Sequence, residues 1–178
     1  SRKMSELVEG LLVLSRCTRG EIRRDRVDVS SLAAAIATEF RGIYSQKQII
    51  CRIEPDLVVR GDARMIEVVM RNLMSNAWKY TGQADKAEVH IHRRKENGES
   101  WICVADNGAG FDMAHAGKLF TPFQRLHRED EFPGIGIGLA TVQRIIHRHG
   151  GTILGEGAVG RGACFRFTLP AAEAGGSA

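Results

Sequence analysis

Asn72, Asn76, Lys79 and Tyr80 are spaced so that, on a helix, all four approach one face. Two amide oxygens one turn apart are suitable ligands for a hard, oxygen-seeking ion such as Mg²⁺, with phosphate oxygens completing the shell. Lys79 would add a compensating point charge and Tyr80 a flat surface for a base. The same spacing also describes a solvated helix face that ends in an aromatic. A second group, Asp106-Asn-Gly-Ala-Gly110, follows an apolar run ending at Ala105. An acid there can accept a hydrogen bond from an exocyclic amine, and Gly108 and Gly110 would let the backbone approach a flat ligand. An ordinary Asn-Gly turn reads the same way. A third group, Gly134-Ile-Gly136-Ile-Gly138-Leu139, ends where a helical pattern starts. Free N–H groups at a helix start favour an anion. It lacks the Gly-Lys-Ser/Thr of a Walker loop and the spacing of the dinucleotide fingerprint, and a plain hinge is its other reading.

These groups need elements to hold them. Asp62 is placed to cap a helix through Tyr80 whose inner stripe is Ile66, Val69, Met70, Leu73 and Ala77. Residues 4–16 form an amphipathic helix with Met4, Leu7, Val8, Leu11, Leu12 and Leu14 on a broad apolar face, and a polar arginine-rich linker follows. Residues 27–29 read as a short strand, with Ser30 or Ser31 capping a helix to about Tyr44. Strands are expected at 48–53 and 57–60 around Glu54-Pro55-Asp56, and at 88–94 and 101–105 around Glu96-Asn97-Gly98. After an irregular stretch from 106 to 138 come a helix from Leu139 to about His149 and a hairpin of strands at 152–155 and 164–169. The expected fold class is α+β, helices packed on one side of a mostly antiparallel sheet. An irregular stretch of about 30 residues inside a compact domain points to function.

Composition narrows the classes. The 178 residues carry a net charge of +4 with 43% hydrophobic residues, enough for one core and a short appendage, and not a disordered chain. No apolar run approaches the roughly 20 residues of a membrane span, and no secretory signal is seen. The basic residues are scattered, which leaves nucleic-acid binding with little support. Cys17, Cys51, Cys103 and Cys164 form no Cys-x-x-Cys pair, so reduced thiols in a cytosolic protein are expected. Of 20 glycines, 12 lie between Asp106 and Gly162, which marks that region as one needing unusual backbone freedom.

Taken in order, Asn72-Leu-Met-Ser-Asn76-Ala-Trp-Lys79-Tyr80, Asp106-Asn-Gly-Ala-Gly110, Phe120-Thr-Pro-Phe123, Gly134-Ile-Gly-Ile-Gly-Leu139 and Gly160-Arg-Gly162 resemble the N box, G1, F box, G2 and short G3 of sensor histidine kinase ATP-binding domains. The resemblance covers about residues 27–170. The runs Phe123-Gln-Arg-Leu-His127 and Arg144-Ile-Ile-His-Arg-His149 look most like soluble, phytochrome-like members. The resemblance implies a Bergerat-type α/β two-layer sandwich with a flexible lid over ATP. By that analogy Asn76 is the main Mg²⁺ ligand with Asn72 assisting, and Asp106 accepts from the adenine amine. Lys79 and Tyr80 line the nucleotide site, and Gly108, Gly110, Gly134, Gly136, Gly138 and Leu139 serve the lid and phosphates. Arg125 is a candidate γ-phosphate partner, and Phe120 and Phe123 would anchor the lid. Gyrase, Hsp90 and MutL-type ATPases resemble the fold but carry a glutamate at the place of Asn72; an amide is a poor general base, so transfer is favoured over hydrolysis.

One family feature is missing. None of the six histidines is followed by an acid and then Thr or Asn, as the phosphoacceptor is; each reads as a surface or strand-end residue. Residues 1–20 therefore resemble the last part of the dimerisation hairpin's second helix, 21–26 a linker, 27–170 the catalytic domain and 171–178 a tail. The implied partners are the chain's own phosphoacceptor domain in a homodimer and a response-regulator receiver, with no nucleic acid and no direct membrane contact, in the cytoplasm. Two other readings are a nucleotide-insensitive scaffold and an anti-sigma-type serine kinase of the same fold.

Overall fold

Two aspartates start the helices on which the architecture rests. In the computed structural model, which describes residues 2–16, 19–127 and 136–170, Asp62 caps helix α3 (Ala63–Tyr80) by accepting from the amides of Arg64 and Met65 at 3.1 and 3.4 Å. Asp28 caps α2 (Val29–Ile43), accepting 2.9 Å hydrogen bonds from the amide and the hydroxyl of Ser31. The sequence pointed to Ser30 or Ser31 for that role. Ser30 instead donates to Glu54 O at 2.7 Å and accepts from Leu57 N at 2.9 Å, which ties α2 to the turn after the next strand. Val29, expected in a strand, is the first residue of the helix.

The central sheet has five strands in the order β2-β4-β5-β7-β6: β2 Ile49–Ile53, β4 Ala87–Glu96, β5 Glu99–Asp106, β7 Ala163–Thr168 and β6 Thr152–Gly157. β2 runs parallel to β4 and the other pairs are antiparallel. β4 and β5 meet at a two-residue turn in which Asn97 and Gly98 both have positive φ, 51° and 79°, the geometry that matches strand twist. Strand β3 (Val58–Gly61) does not join β2 across the Pro55 turn. It pairs antiparallel with β1 (Asp25–Asp28) as a separate two-stranded sheet. The stretch after Asp106 is not wholly irregular, since Asp112 caps a 3₁₀ helix over Met113–Lys118.

Helices α2, α3 and α4 (Gly138–Arg148) cover one face of the sheet. All five expected stripe residues of α3 are buried, joined by Met74 and Trp78, against Val89, Ile91, Ile102, Val104, Phe165 and Phe167 of the strands. Each large side chain buried this way contributes about 1.5–3 kcal/mol gross, so α3 is the keel of the domain. α1 (Arg2–Arg16) lies against the start of α4, with Gly10 beside Ile137, while Met4, Val8, Leu11 and Leu12 stay exposed. The side chains of Leu7 and Leu14, and Cys17, Gly134 and residues 171–178, lie outside the described residues. Among the described residues no helix is long and apolar enough to cross a membrane.

Candidate functional site

The outer face of α3 opens on a cavity of about 620 Å³ bounded by α1, the start of α4 and the segment before residue 128. Asn72, Asn76, Lys79, Tyr80, Gly110, Arg125, Gly136, Gly138 and Leu139 all line it, so nine of the residues singled out by type and spacing share one space. Helical spacing places the first four. Gly110 arrives with a loop locked to the end of α3, Arg125 and Gly136 with two segments joined by a backbone bond, and Gly138 and Leu139 with the start of α4.

The first lock is the loop after β5. Ala109 N donates to Tyr80 O at 3.1 Å, and a Cβ on Gly108 would overlap that same carbonyl, so only glycine lets the loop seat on the helix end. Gly110, at φ 64°, passes so close to Ala158 O that a side chain there would also collide. Gly160 N donates to Ala109 O at 2.7 Å, which fastens the Gly160–Gly162 turn onto the same loop. The second lock is Phe123 N to Gly136 O at 3.0 Å, joining the two described ends that flank residues 128–135.

Asn72 is oriented. Its Nδ2 donates to Val68 O at 2.8 Å, one turn back, which leaves Oδ1 facing Gly138 at the first turn of α4. Ile137, at the N-cap of α4, offers no side-chain acceptor, so the first amides of that helix present partial positive charge to the cavity. The Asn76 side-chain amide makes no hydrogen bond to other described residues. Two amide oxygens, one of them fixed by its own nitrogen's bond, suit an oxygen-seeking divalent cation.

Two cationic side chains share the cavity wall. Burial, then the charge of Arg125, pushes the Lys79 amine down to about 8. Its Nζ lies 4.9 Å from the centre of the Tyr80 ring. Burial raises the Tyr80 hydroxyl, with the Arg125 charge opposing and Asp106 adding to it. One guanidinium thus acts on both neighbours.

Asp106 and Gly108 are not on the cavity wall. The Asp106 carboxylate turns onto its own loop and accepts from Gly108 N at 2.9 Å, beside Ala163, its register partner and a wall residue. Burial raises its carboxyl to about 6, despite the amides of Gly108 and Ala163 pulling the other way. Phe120 stands edge-on to Phe165 and packs against the core. Phe123 does not: its φ of 64° turns the side chain outward and leaves it 56% exposed.

Two histidines depart from expectation. His149 is fully buried: Ile145 O accepts from its Nδ1 at 2.7 Å, and its Nε2 accepts from Asp62 N at 3.0 Å, so the end of α4 holds the start of α3. His127 lines the cavity, its ring centre 5.1 Å from that of Tyr80, and its Nε2–H donates to Gly110 O at 2.8 Å. Its place in the run ending Arg125-Leu-His127 was the available signal. Glu9, Gly10 and Val13 of α1 also reach the cavity, which periodicity cannot reveal.

The family model "Histidine kinase-, DNA gyrase B-, and HSP90-like ATPase" matches residues 61–173. The methanogenesis regulatory histidine kinase FilI of Methanothrix harundinacea is 40% identical over 63% of this chain and 12% of its own length. Cyanobacterial phytochrome A of Nostoc is 37% identical over 64% of this chain and 14% of its own length. The adaptive-response sensory kinase SasA of Thermosynechococcus vestitus is 32% identical over 96% of this chain and 46% of its own length. The chain thus spans less than half of each of these curated relatives. Full-length ShkA, solved in complex with AMPPNP, superposes with a TM-score of 0.75 at 24% identity, over 96% of this chain and 37% of that one. The Acinetobacter baumannii histidine kinase AdeS gives 0.72 at 23%, over 94% and 78%; at such identities the structures speak for the fold alone. The chain belongs to the histidine kinase-, DNA gyrase B- and HSP90-like ATPase family, and the relatives it matches are sensor kinases and a phytochrome.

Proposed function

We propose that this chain is the ATP-binding catalytic part of a two-component sensor histidine kinase, with residues 27–170 as the catalytic domain and 1–20 as the tail of its dimerisation hairpin. The observation that carries the reading is one cavity lined together by Asn72, Asn76, Lys79, Arg125 and the start of α4, whose N-cap residue Ile137 makes no side-chain cap bond. That set matches a polyphosphate with its cation. Asn76 and Asn72 would hold Mg²⁺, which when bound neutralises phosphate charge. Lys79 and Arg125 would hold phosphate oxygens, Tyr80 would lie along the base, and Gly136, Gly138 and Leu139 would present backbone to the phosphates, with Gly134 beside them in sequence. Asp106 would turn from its own loop to the adenine amine, with Gly108 and Gly110 keeping the backbone out of the way.

The γ-phosphoryl group would pass to a histidine on an upstream helix and then to the aspartate of a response-regulator receiver. Asn72 supports transfer over hydrolysis, because an amide cannot take a proton from water near neutral pH. The exposed apolar residues of α1 fit a homodimeric helical hairpin, and a cytoplasmic setting, without nucleic acid or direct membrane contact, follows from that role. The test supplies a phosphoacceptor hairpin and γ-labelled ATP. Acid-labile phosphohistidine that appears only with the hairpin supports the reading. Label released to water without any acceptor, or no reaction, would overturn it.

A further inference from the structure

Lys79 is half-buried, whereas Lys47, Lys86, Lys95 and Lys118 are exposed. Its amine lines the cavity against the Tyr80 ring and forms no ion pair with a carboxylate among the described residues. Arg125 and the uncapped first turn of α4 border the same space and suit a phosphate. A half-buried amine against an aromatic ring and beside a phosphate cradle is arranged as a nucleophile toward a molecule with a phosphate at one end and an acyl carbon at the other.

We infer that Lys79 is an acylation site for small acyl phosphates, seated by their phosphate on Arg125 and the start of α4. The inference rests on the nucleotide reading of the cavity, since it borrows the phosphate subsite. The free amine attacks the acyl carbon, a C–N bond forms, and the C–O bond to phosphate breaks. Inorganic phosphate departs carrying the proton lost by nitrogen, and no oxidant or reductant is needed. Half-burial and the neighbouring guanidinium hold the amine near 8, so at pH 8 it carries far more free base than an ordinary lysine has. The product amide has no charge and fills the space beside Tyr80, so acylation would switch the cavity off for nucleotide.

The test incubates the folded chain with acetyl phosphate at pH 8 and follows each lysine by peptide mass spectrometry, while calorimetry on unmodified protein measures ATP binding. Acetylation of Lys79 about tenfold faster than of Lys86 and Lys95, suppressed by ATP at Lys79 alone and slowed there by Arg125→Ala, supports the site. Lys79 reacting no faster than those two, or ignoring ATP that calorimetry shows to bind, overturns the inference and leaves the nucleotide reading standing. Absence of ATP binding by unmodified protein overturns both.

Discussion

The side-chain oxygen of Asn72 faces Gly138 so closely that a methyl group at position 138 would come within 2.7 Å of it. The start of α4 and the middle of α3 therefore meet through a polar contact that leaves no room for a Cβ. Gly138→Ala forces the Asn72 amide to turn, since Nδ2 is already committed to Val68 O. Alanine favours a helix over glycine by up to about 1 kcal/mol, which offsets the local crowding in stability. The variant should melt within a few degrees of the parent yet bind nucleotide about tenfold more weakly, as calorimetry would read. Unchanged affinity would mean that Asn72 does not face the ligand.

Asp106 sets a pH dependence. Its carboxyl is raised to about 6 from 3.8, so the folded state holds that proton more tightly than the unfolded state. The sign follows: stability from this group is full below 3.8, falls between 3.8 and 6, and stays low above 6. The cost of ionisation is at most about 3 kcal/mol. Asp106→Asn keeps an oxygen for Gly108 N and removes that cost. Nucleotide-free Asp106→Asn should be more stable than the parent at pH 7.5 in urea titrations, with the gap closing as pH falls toward 4. A gap that is constant with pH would contradict a buried, destabilising carboxylate.

His149 joins α3 to α4, accepting from Asp62 N while donating to Ile145 O. His149→Ala removes a packed ring and leaves a backbone amide without its acceptor, a loss of about 2–4 kcal/mol. Urea unfolding should show it as a lower midpoint with an unchanged slope. A change below about 0.5 kcal/mol, the range of surface substitutions, would mean that the imidazole is incidental.

How much of this could be read in advance depended on how local each determinant was. The α3 stripe and the face carrying Asn72, Asn76, Lys79 and Tyr80 follow from one helical period, and all four line the cavity. The Asn97-Gly98 turn follows from the positive φ that its residue types accept. Non-local facts were hidden. Nothing near Pro55 says that the flanking strands enter different sheets, because strand partners are set by distant residues. His149 looked like a surface histidine since its acceptor role is to Asp62 N, 87 residues away. Phe123 looked like an anchor, but a backbone bond to Gly136 fixes its turn and swings the ring out. Asp106 matched its motif, while its carboxylate is occupied by its own loop.

The most direct measurement is calorimetric titration of the chain with a non-hydrolysable ATP analogue, with and without Mg²⁺, alongside Asn76→Ala and Asp106→Ala. The cavity as described predicts micromolar binding by the parent, loss of about tenfold or more in Asp106→Ala, and a much smaller gain from Mg²⁺ in Asn76→Ala. A parent that is folded yet binds no nucleotide would contradict the account at its centre.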